Sequence, residues 1–302
     1  MIYGVDIGGS KIEIAVFDRD LDLKDRWRTR TPSRDYSEFL DAVAGLVAEA
    51  DHRFGDGEAI GMGIPGLVDR TGQSLCANVP CATGQHVATD LAELLKRPVV
   101  ADNDCRCFAL SEGIGGAGEN YRRVFGAILG TGAAGGLVVD GKLSHGWQGI
   151  AGEYGHIQLP ASTAHKYSLP LWPCGCGLPA CIESYVSGPG LVALAAYFEV
   201  GQATVPEIIE AYRRGEPSAI QTFDCFMDIL GTTFATVGMM VDPDIIVLGG
   251  GLSLVDEIVA GLPSAISAHL FPGFVSPPVL QPRFGDSSGV RGAAIMARGL
   301  LP

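Results

Sequence analysis

The chain has 302 residues, 47% of them hydrophobic and 18% charged, a balance that permits a large buried core and excludes wholesale disorder. Its 21 basic and 34 acidic side chains give a formal net charge of −13. Because nucleic-acid-binding surfaces are basic, and no run of Lys or Arg occurs here, the charge argues against a nucleic-acid partner. A chain of this length is expected to divide into two lobes.

The N-terminal segment lacks the basic region of a signal peptide, and no later segment is predicted to span a membrane. Eight cysteines are too few for a disulfide scaffold in a chain of this length. Three of them (Cys174, Cys176 and Cys181) crowd together and five are scattered, which suits reduced thiols. We therefore expect a cytoplasmic protein with no membrane partner.

The first predicted element is a β-hairpin that joins Ile2–Asp6 to Ile12–Phe17 through a glycine-rich turn. The next predicted elements, in chain order, are a helix over about 37–54, a strand over 60–64, a helix around 91–95, a strand over 99–101 and a helix from about 103. A second hairpin, over 125–129 and 137–139, repeats the first, since both end in an aspartate, Asp18 and Asp140. The repeat indicates a duplicated β-rich unit.

The second half contains a loop-rich region over 146–188 and then helical patterns to about residue 240. A strand over 245–248, a strand near 279–280 and a helix from about 289 close the chain. Strands that alternate with helices indicate a mixed α/β fold. We predict a small lobe over 1–115, to which the C-terminal helix of about 288–302 returns, and a large lobe over 116–287 that includes the cysteine-rich loop.

Three glycine turns follow strand ends: Gly8-Gly9-Ser10-Lys11, Gly130-Thr131-Gly132 and Gly249-Gly250-Gly251. Asp6, just before the first turn, is suited to hold a magnesium-bound water. Each turn by itself fits an ordinary connection between strands equally well. Three such turns together favour a polyphosphate site, because an enzyme that transfers phosphate without a P-loop needs backbone amides from several loops.

Asp102-Asn103-Asp104 lies between a predicted strand and a predicted helix, where side chains at the carboxyl end of a strand face a crevice. A carboxylate at this point can accept a proton from an attacking hydroxyl, and the amide can orient a substrate. Asp and Asn are also common helix N-caps, so a purely structural role stays open.

His156, Cys174, Cys176 and Cys181 supply four soft ligands, the set that a closed structural zinc site prefers. The alternative is three reduced cysteines in a loop and a core histidine. Glu153 and Glu183 lie close to these ligands in sequence, and carboxylates with imidazoles suit the hydroxyl groups of a sugar.

These motifs resemble the ROK family (repressors, open reading frames and sugar kinases) over essentially the whole chain and in the family's order. The matching segments are 6–11, 63–66, 102–104, 130–132, 152–156, 174–177 and 181–183. Ala77-Asn78-Val79-Pro80 and the segment 107–112 are most similar to bacterial N-acetylglucosamine kinases.

The resemblance implies a duplicated, actin-like (ribonuclease H-like) ATPase fold of two lobes with a cleft for sugar and ATP between them. It implies phosphorylation of a hexose at the 6-hydroxyl by ATP with Mg²⁺, with N-acetyl-D-glucosamine favoured over glucose or fructose. It also implies a homodimer. A family member without catalysis, a sugar sensor or a repressor, is the alternative. Repressors of the family have a DNA-binding segment before the first strand, which here is predicted at Ile2, and the catalytic Asp104 is present.

The resemblance also assigns residues. Asp104 is the implied catalytic base. The implied sugar-binding residues are Gly66, Asn78, Asn103, Asp104, Glu153, His156 and Glu183. The implied ATP-binding residues are Gly4, Asp6, Gly8, Gly9, Ser10, Lys11, Gly130, Thr131, Gly132, Gly135, Gly249 and Gly250. The implied ligands of a structural zinc ion are His156, Cys174, Cys176 and Cys181.

The sequence departs from the family pattern at three positions. Ser10 replaces the usual Thr and keeps its hydroxyl, whereas Ala134 and Ala180 each stand where glycine is usual. Both alanines are expected to restrict the backbone if their φ must be positive.

Overall fold

The computed structural model describes residues 1–201 and 203–301. The strands, in chain order, are β1 Ile2–Ile7, β2 Lys11–Phe17, β3 Leu23–Arg30, β4 Ala59–Ile64, β5 Leu67–Val68, β6 Ser74–Leu75, β7 Val99–Asn103, β8 Arg123–Leu129, β9 Ala133–Val139, β10 Lys142–Leu143, β11 Ile245–Gly249 and β12 Val279–Leu280. The helices are α1 Tyr36–Phe54, α2 Val87–Leu95, α3 Asp104–Gly113, α4 Ala161–Tyr167, α5 Glu183–Val186, α6 Gly188–Tyr197, α7 Val205–Arg213, α8 Pro217–Val241, α9 Asp256–Ser267 and α10 Ser288–Arg298.

The mixed α/β fold and its duplication are confirmed by two five-stranded sheets that share one strand order. The first sheet has the order β3-β2-β1-β4-β7 and the second the order β10-β9-β8-β11-β12. In the first, β1 pairs antiparallel with β2 and parallel with β4, as Tyr3↔Val16 and Tyr3↔Ile60 show. In the second, β11 pairs parallel with both β8 and β12.

The chain divides into two compact units. The first contains residues 1–119, 136–152 and the segment from Arg283 onwards, and the second contains 120–135 and 153–282. This division differs from the predicted lobes chiefly in residues 136–152, which join the first unit. The reason is a set of contacts within that unit, in which Arg106 donates hydrogen bonds to the carbonyl oxygens of Gly149 and Ala151.

The return of the C-terminal helix to the first unit depends on glycines in neighbouring strands. Gly4 of β1 lies opposite Gly61 of β4. A Cβ atom on Gly4 would lie 2.0 Å from the Val290 carbonyl oxygen, and one on Gly61 would lie 1.7 Å from that of Ala293. Only glycine therefore permits this close approach of α10 to the sheet.

Helix α8 is the one described helix that is long and apolar enough to cross a membrane by length and composition, contrary to the sequence-based expectation. It has 25 residues, and half of its apolar window is buried inside the structure. Phe226, Ile229, Leu230 and Phe234 of this helix have no exposed surface. These side chains form part of the core of the second unit, which explains the apolar composition of α8.

A buried carboxylate joins the end of α3 to the segment that leads into α10. Glu112 has no exposed surface. Its Oε1 accepts hydrogen bonds from the Phe284 amide at 3.2 Å and the Ser288 hydroxyl at 2.5 Å. Its Oε2 accepts from the amides of Ala117 and Arg283, both at 2.9 Å. Four donors thus converge on two acceptor oxygens, which a carboxylate provides, whereas an amide provides only one.

We therefore expect Glu112→Gln to destabilise the protein by about 2–4 kcal/mol, because the amide group would turn a donor towards other donors. The apparent midpoint of thermal unfolding should fall by roughly 4–10 °C. Glu93→Gln is the control, since Glu93 is exposed on α2. A midpoint for Glu112→Gln as high as that of the control would contradict the role of this carboxylate.

Candidate active site

The first glycine turn, between β1 and β2, is held by Thr31, the residue that follows β3. The Gly8 amide donates to the Lys11 carbonyl oxygen at 2.8 Å, and the Thr31 hydroxyl donates to the Gly8 carbonyl oxygen at 2.7 Å. Gly9, Ser10 and Lys11 are exposed. The turn is thus fixed in shape while its tip is accessible to a ligand, as a phosphate-binding turn requires.

Asn78, predicted to bind sugar, lies against this first turn. A Cβ atom on Gly9 would lie 3.0 Å from the Asn78 carbonyl oxygen and 3.2 Å from its Cβ atom. Asn78 is exposed. The glycine at position 9 therefore lets the segment 77–80 pack directly on the turn.

The junction of β7 and α3 shows which of its polar residues caps the helix. The Asn103 Oδ1 atom accepts hydrogen bonds from the amides of Cys105 and Arg106, at 2.9 and 3.2 Å. The Asn103 Nδ2 atom donates to the Gly66 carbonyl oxygen at 2.8 Å. The capping alternative thus holds for Asn103, and Asp104 occupies the first residue of α3.

Gly66 has a conformation that favours glycine. Its φ is +151°, and a Cβ atom there would lie 2.1 Å from the Leu75 carbonyl oxygen. The hydrogen bond from Asn103 therefore connects the helix cap to a turn that only glycine fits.

Asp6 and Asp104 lie close to each other in the first unit. A Cβ atom on Gly63 would lie 3.4 Å from both an Asp6 carboxylate oxygen and the Asp104 Cα atom. Burial, followed by the negative charges of Asp104 and Glu13, raises the pKa of Asp6 to about 7. Burial also raises the pKa of Asp104. A raised pKa makes a carboxylate a stronger general base.

The second and third glycine turns lie side by side in the second unit. A Cβ atom on Gly250, whose φ is +79°, would lie 2.4 Å from the Leu129 carbonyl oxygen, immediately before Gly130. The Gly188 amide donates to the Gly130 carbonyl oxygen at 2.7 Å. Gly249 ends β11, so the structure brings these two predicted nucleotide-binding turns together.

Glu183 and the Glu153–His156 motif also contact the second turn. The Ala133 amide donates to the Glu183 Oε2 atom at 2.8 Å, and a Cβ atom on Gly132 would lie 2.7 Å from the same oxygen. Gly155 packs on the Ala133 carbonyl oxygen, where a Cβ atom would approach to 1.9 Å. A cleft of about 380 Å³ lies beside this turn, and its lining includes Thr131, Cys174, Glu183 and Ser187.

Two of the glycines assigned to ATP binding, Gly4 and Gly135, have a packing role in their strands. Gly4 lies inside β1 beneath α10, and Gly135 lies inside β9, where a Cβ atom would lie 2.4 Å from the Gly126 carbonyl oxygen. Both are glycines of strand interiors that contact neighbouring backbone. A glycine required by close packing looks the same in sequence as one required by a ligand, so the packing gives a structural reason for glycine at both positions.

The predicted metal ligands converge in the second unit. The ligand atoms of His156, Cys174, Cys176 and Cys181 all lie within 4.8 Å of one another. The Cys174 sulfur is 3.7 Å from His156 Nδ1, and the sulfurs of Cys176 and Cys181 are 3.5 Å apart. Tetrahedral zinc with bonds of about 2.3 Å places its thiolates about 3.8 Å apart, so the set fits zinc.

The electrostatics of the thiols also fit a cation. Burial, followed by hydrogen bonds with Cys176 and Cys174, raises the pKa of Cys181 to about 12. A backbone hydrogen bond with Leu178 lowers the pKa of Cys176, so it is the Cys181 thiolate that needs a positive charge beside it, and a bound metal supplies that charge.

The two alanines at positions where glycine is usual differ in backbone conformation. Ala134 lies inside β9, where the backbone has the extended conformation that any residue can adopt. Ala180 has a φ of +56°, and its amide donates to the Trp172 carbonyl oxygen at 2.7 Å. Ala180 therefore adopts the left-handed conformation just before the ligand Cys181, and this conformation is strained for alanine.

Sequence reasoning missed Thr31, which holds the first turn, and the partners of Asp102. Asp102 pairs with Arg106 at 3.1 Å and with His145 at 2.7 Å. Arg106 follows Asp102 by four residues across the junction of β7 and α3, and this short separation was the one signal in the sequence for the pair. His145 gives no such signal, since it comes from a loop 43 residues away.

The raised pKa of Asp6 predicts how Asp6→Asn changes stability with pH. The pKa of Asp6 is about 7 in the folded state against 3.8 ordinarily, so the folded protein favours protonated Asp6. The contribution of this preference to the free energy of unfolding is complete below about pH 4 and is lost as pH rises to about 7. In the absence of Mg²⁺ and nucleotide, Asp6→Asn should match the wild type at pH 4 and exceed it by about 1–3 kcal/mol at pH 7.5. Denaturant unfolding at both pH values measures this. A difference that stays constant or shrinks as pH rises would contradict the pKa.

Comparisons with solved structures confirm the predicted actin-like, duplicated ATPase fold. The ROK hexokinase from Thermus thermophilus superposes with a TM-score of 0.87 at 30% identity, over 98% of this chain and 97% of that chain. A ROK family glucokinase from Streptomyces griseus, solved in complex with glucose and AMPPNP, gives a TM-score of 0.79 at 29% identity, over 99% of both chains.

Comparisons of sequence give nearer relatives. The chain is 50% identical over 302 residues to the N-acetylgalactosamine kinase AgaK of Shewanella sp. (strain ANA-3), which covers 99% of this chain and 97% of that relative. It is 43% identical over 299 residues to the N-acetyl-D-glucosamine kinase of Salmonella heidelberg (strain SL476), over 98% and 99% of the two chains. The ROK family model matches residues 2–299. The chain belongs to the ROK family.

Proposed function

We propose that this protein transfers the terminal phosphate of ATP to the 6-hydroxyl of an N-acetylhexosamine. The observation that carries the proposal is the pair of acids in the first unit. Asp104, with a raised pKa, begins α3 at the carboxyl end of β7, beside Asp6 and the first glycine turn. A base next to a phosphate-binding turn is what transfer to a hydroxyl requires.

The chain's own residues divide the chemistry among them. Asp104 accepts the proton of the 6-hydroxyl. Asn103 uses its Oδ1 in the helix cap and one N–H of Nδ2 in the bond to Gly66, and it offers the second N–H to the sugar. Glu153, His156 and Glu183 bind ring hydroxyls. Mg²⁺, which accompanies ATP, neutralises phosphate charge, and Asp6 would hold it through water.

The three glycine turns receive the nucleotide. Gly8 to Lys11 and Gly130 to Gly132 present backbone amides to the phosphates, and Gly249-Gly250 lies towards the adenosine. Backbone amides suit this protein because its net charge of −13 offers no general attraction for an anion.

Two N-acetylhexosamines compete as the preferred substrate. The segment Ala77-Asn78-Val79-Pro80 favours N-acetyl-D-glucosamine, whereas the relative at 50% identity is an N-acetylgalactosamine kinase. The two sugars differ in the orientation of the 4-hydroxyl alone, so both carry the acetamido group. A site that hydrogen-bonds this group rejects glucose and fructose more strongly than an apolar pocket could.

A coupled ADP-release assay over N-acetylglucosamine, N-acetylgalactosamine, glucose and fructose tests the proposal. One of the acetylated sugars should have the highest kcat/KM, and Asp104→Asn should lower kcat by about two to four orders of magnitude because it removes the proton acceptor. Sugar binding should survive in that variant. A higher kcat/KM on glucose or fructose would contradict the substrate assignment, and near-normal turnover by Asp104→Asn would contradict the assignment of Asp104 as the base.

We also propose that zinc fills the four-ligand cluster and supports sugar binding through His156. His156 Nδ1 faces the Cys174 sulfur, so its Nε2–H is left to donate to a sugar hydroxyl. Four protein ligands close the coordination sphere, and such a metal orients the imidazole without activating water.

Cys176→Ser should therefore lose the metal and raise KM for the sugar more than KM for ATP. Wild-type protein should contain about one zinc per chain by elemental analysis, as four ligands imply. Cys225→Ser is the control, because Cys225 is a buried thiol of α8 outside the cluster. If the metal-free variant binds sugar as tightly as wild type, His156 has a structural role only.

We further propose that the protein is a cytoplasmic homodimer. All eight cysteines are free thiols, as a reducing compartment maintains. Phe271, Phe274 and Val275 are exposed by 63%, 66% and 78%, an apolar surface that a partner copy would cover.

A further inference from the structure

Asp102 is the centre of a buried polar cluster that none of the assigned roles uses. It is 4% exposed. Its Oδ1 atom accepts from the Asn103 amide at 2.7 Å and from Arg106 Nη1 at 3.1 Å, and its Oδ2 atom is 2.7 Å from His145 Nε2. Burial alone would raise the pKa of Asp102, but the hydrogen bond with His145 and the charge of Arg106 lower it. Asp102 is therefore an ionised carboxylate inside the first unit.

Arg106 extends this cluster to the backbone of a loop. Its side chain is 1% exposed. It donates from Nη2 to the Gly149 carbonyl oxygen and from Nε to the Ala151 carbonyl oxygen at 3.3 Å. Together with His145, the cluster fixes the loop 145–151 at three points. Asp102 holds the Arg106 guanidinium in place, and charge-assisted hydrogen bonds from this buried cation restrain the two carbonyl oxygens strongly.

The same loop packs on the turn that Asn103 holds. A Cβ atom on Gly149, whose φ is +71°, would lie 2.6 Å from the Val68 carbonyl oxygen, two residues after Gly66. The consecutive residues Asp102 and Asn103 therefore restrain two adjacent segments, 145–151 and the Gly66 turn.

The restrained loop leads directly into the proposed sugar motif. Glu153 follows Ala151 by two residues in the sequence. A loop fixed at Gly149 and Ala151 limits the positions that Glu153 can take. The segment is then already ordered in the folded protein, so sugar binding does not bear the entropic cost of ordering it.

We propose that Asp102 is a positioning residue that, through Arg106 and His145, holds the loop 145–151 and so prepares the Glu153–His156 motif for the hexose. The inference rests on the proposed function, since it assigns a consequence to sugar binding. It concerns the sugar and leaves nucleotide binding unaffected.

His145→Ala is the most informative test, because His145 is 57% exposed on its side chain and its loss should not prevent folding. We expect KM for the preferred N-acetylhexosamine to rise about three- to tenfold, as the loss of one such hydrogen bond implies. KM for ATP and the midpoint of thermal unfolding should stay close to wild type. Hydrogen exchange of the peptide covering 144–152 should accelerate.

The structure offers a matched control. His269 makes an equivalent bond to Asp228, Nε2 to Oδ1 at 2.7 Å, and neither residue is among the assigned site residues. His269→Ala should leave KM for the hexose unchanged. Asp102→Asn, the second variant, should raise the same KM at least as much as His145→Ala, since it weakens both anchors.

The inference is overturned if wild type is active on an N-acetylhexosamine and His145→Ala shows an unchanged KM or unchanged exchange in the loop. An equal rise in KM for ATP and for the hexose also overturns it. A wild type that phosphorylates no hexose overturns the proposed function first, and this inference with it, so the two failures are distinguishable.

Discussion

The side chain of Asn103 is the interaction on which the site in the first unit depends. Its oxygen caps α3 by accepting from the amides of Cys105 and Arg106, and its nitrogen donates to the Gly66 carbonyl oxygen. The cap fixes where α3 begins, and Asp104 is the residue at which it begins. One buried amide thus connects the start of α3, where the proposed base lies, to a neighbouring turn.

Around this amide, the protein places acids close together at a cost in stability. Asp6 and Asp104 both have raised pKa values, mainly because burial disfavours their charges. Such strain is typical of catalytic sites, where the surrounding fold supplies the stability that the site lacks. Here the first unit supplies it through α10, which packs on β1 and β4 by way of Gly4 and Gly61, and through the four hydrogen bonds of Glu112.

Regular elements with strong apolar patterns were predictable from the sequence, and contacts between distant segments were not. The hairpin of β1 and β2 and its repeat followed from apolar runs around glycines, whereas β3 was missed because its charged residues lie exposed and give no buried pattern. The cluster of His156 with the cysteines followed from residue chemistry alone. The packing of Gly4 and Gly135 and the contact of His145 with Asp102 were not predictable, because each depends on partners far along the chain.

The central claim is that Asp104 receives the proton of the sugar's 6-hydroxyl. A crystal structure with N-acetylglucosamine or N-acetylgalactosamine and a non-hydrolysable ATP analogue tests it most directly. The account predicts the 6-hydroxyl oxygen within about 2.6–3.2 Å of an Asp104 carboxylate oxygen, with Asn103 still capping α3. A sugar bound with another hydroxyl nearest to Asp104, or with its 6-hydroxyl directed away from that carboxylate, would contradict it.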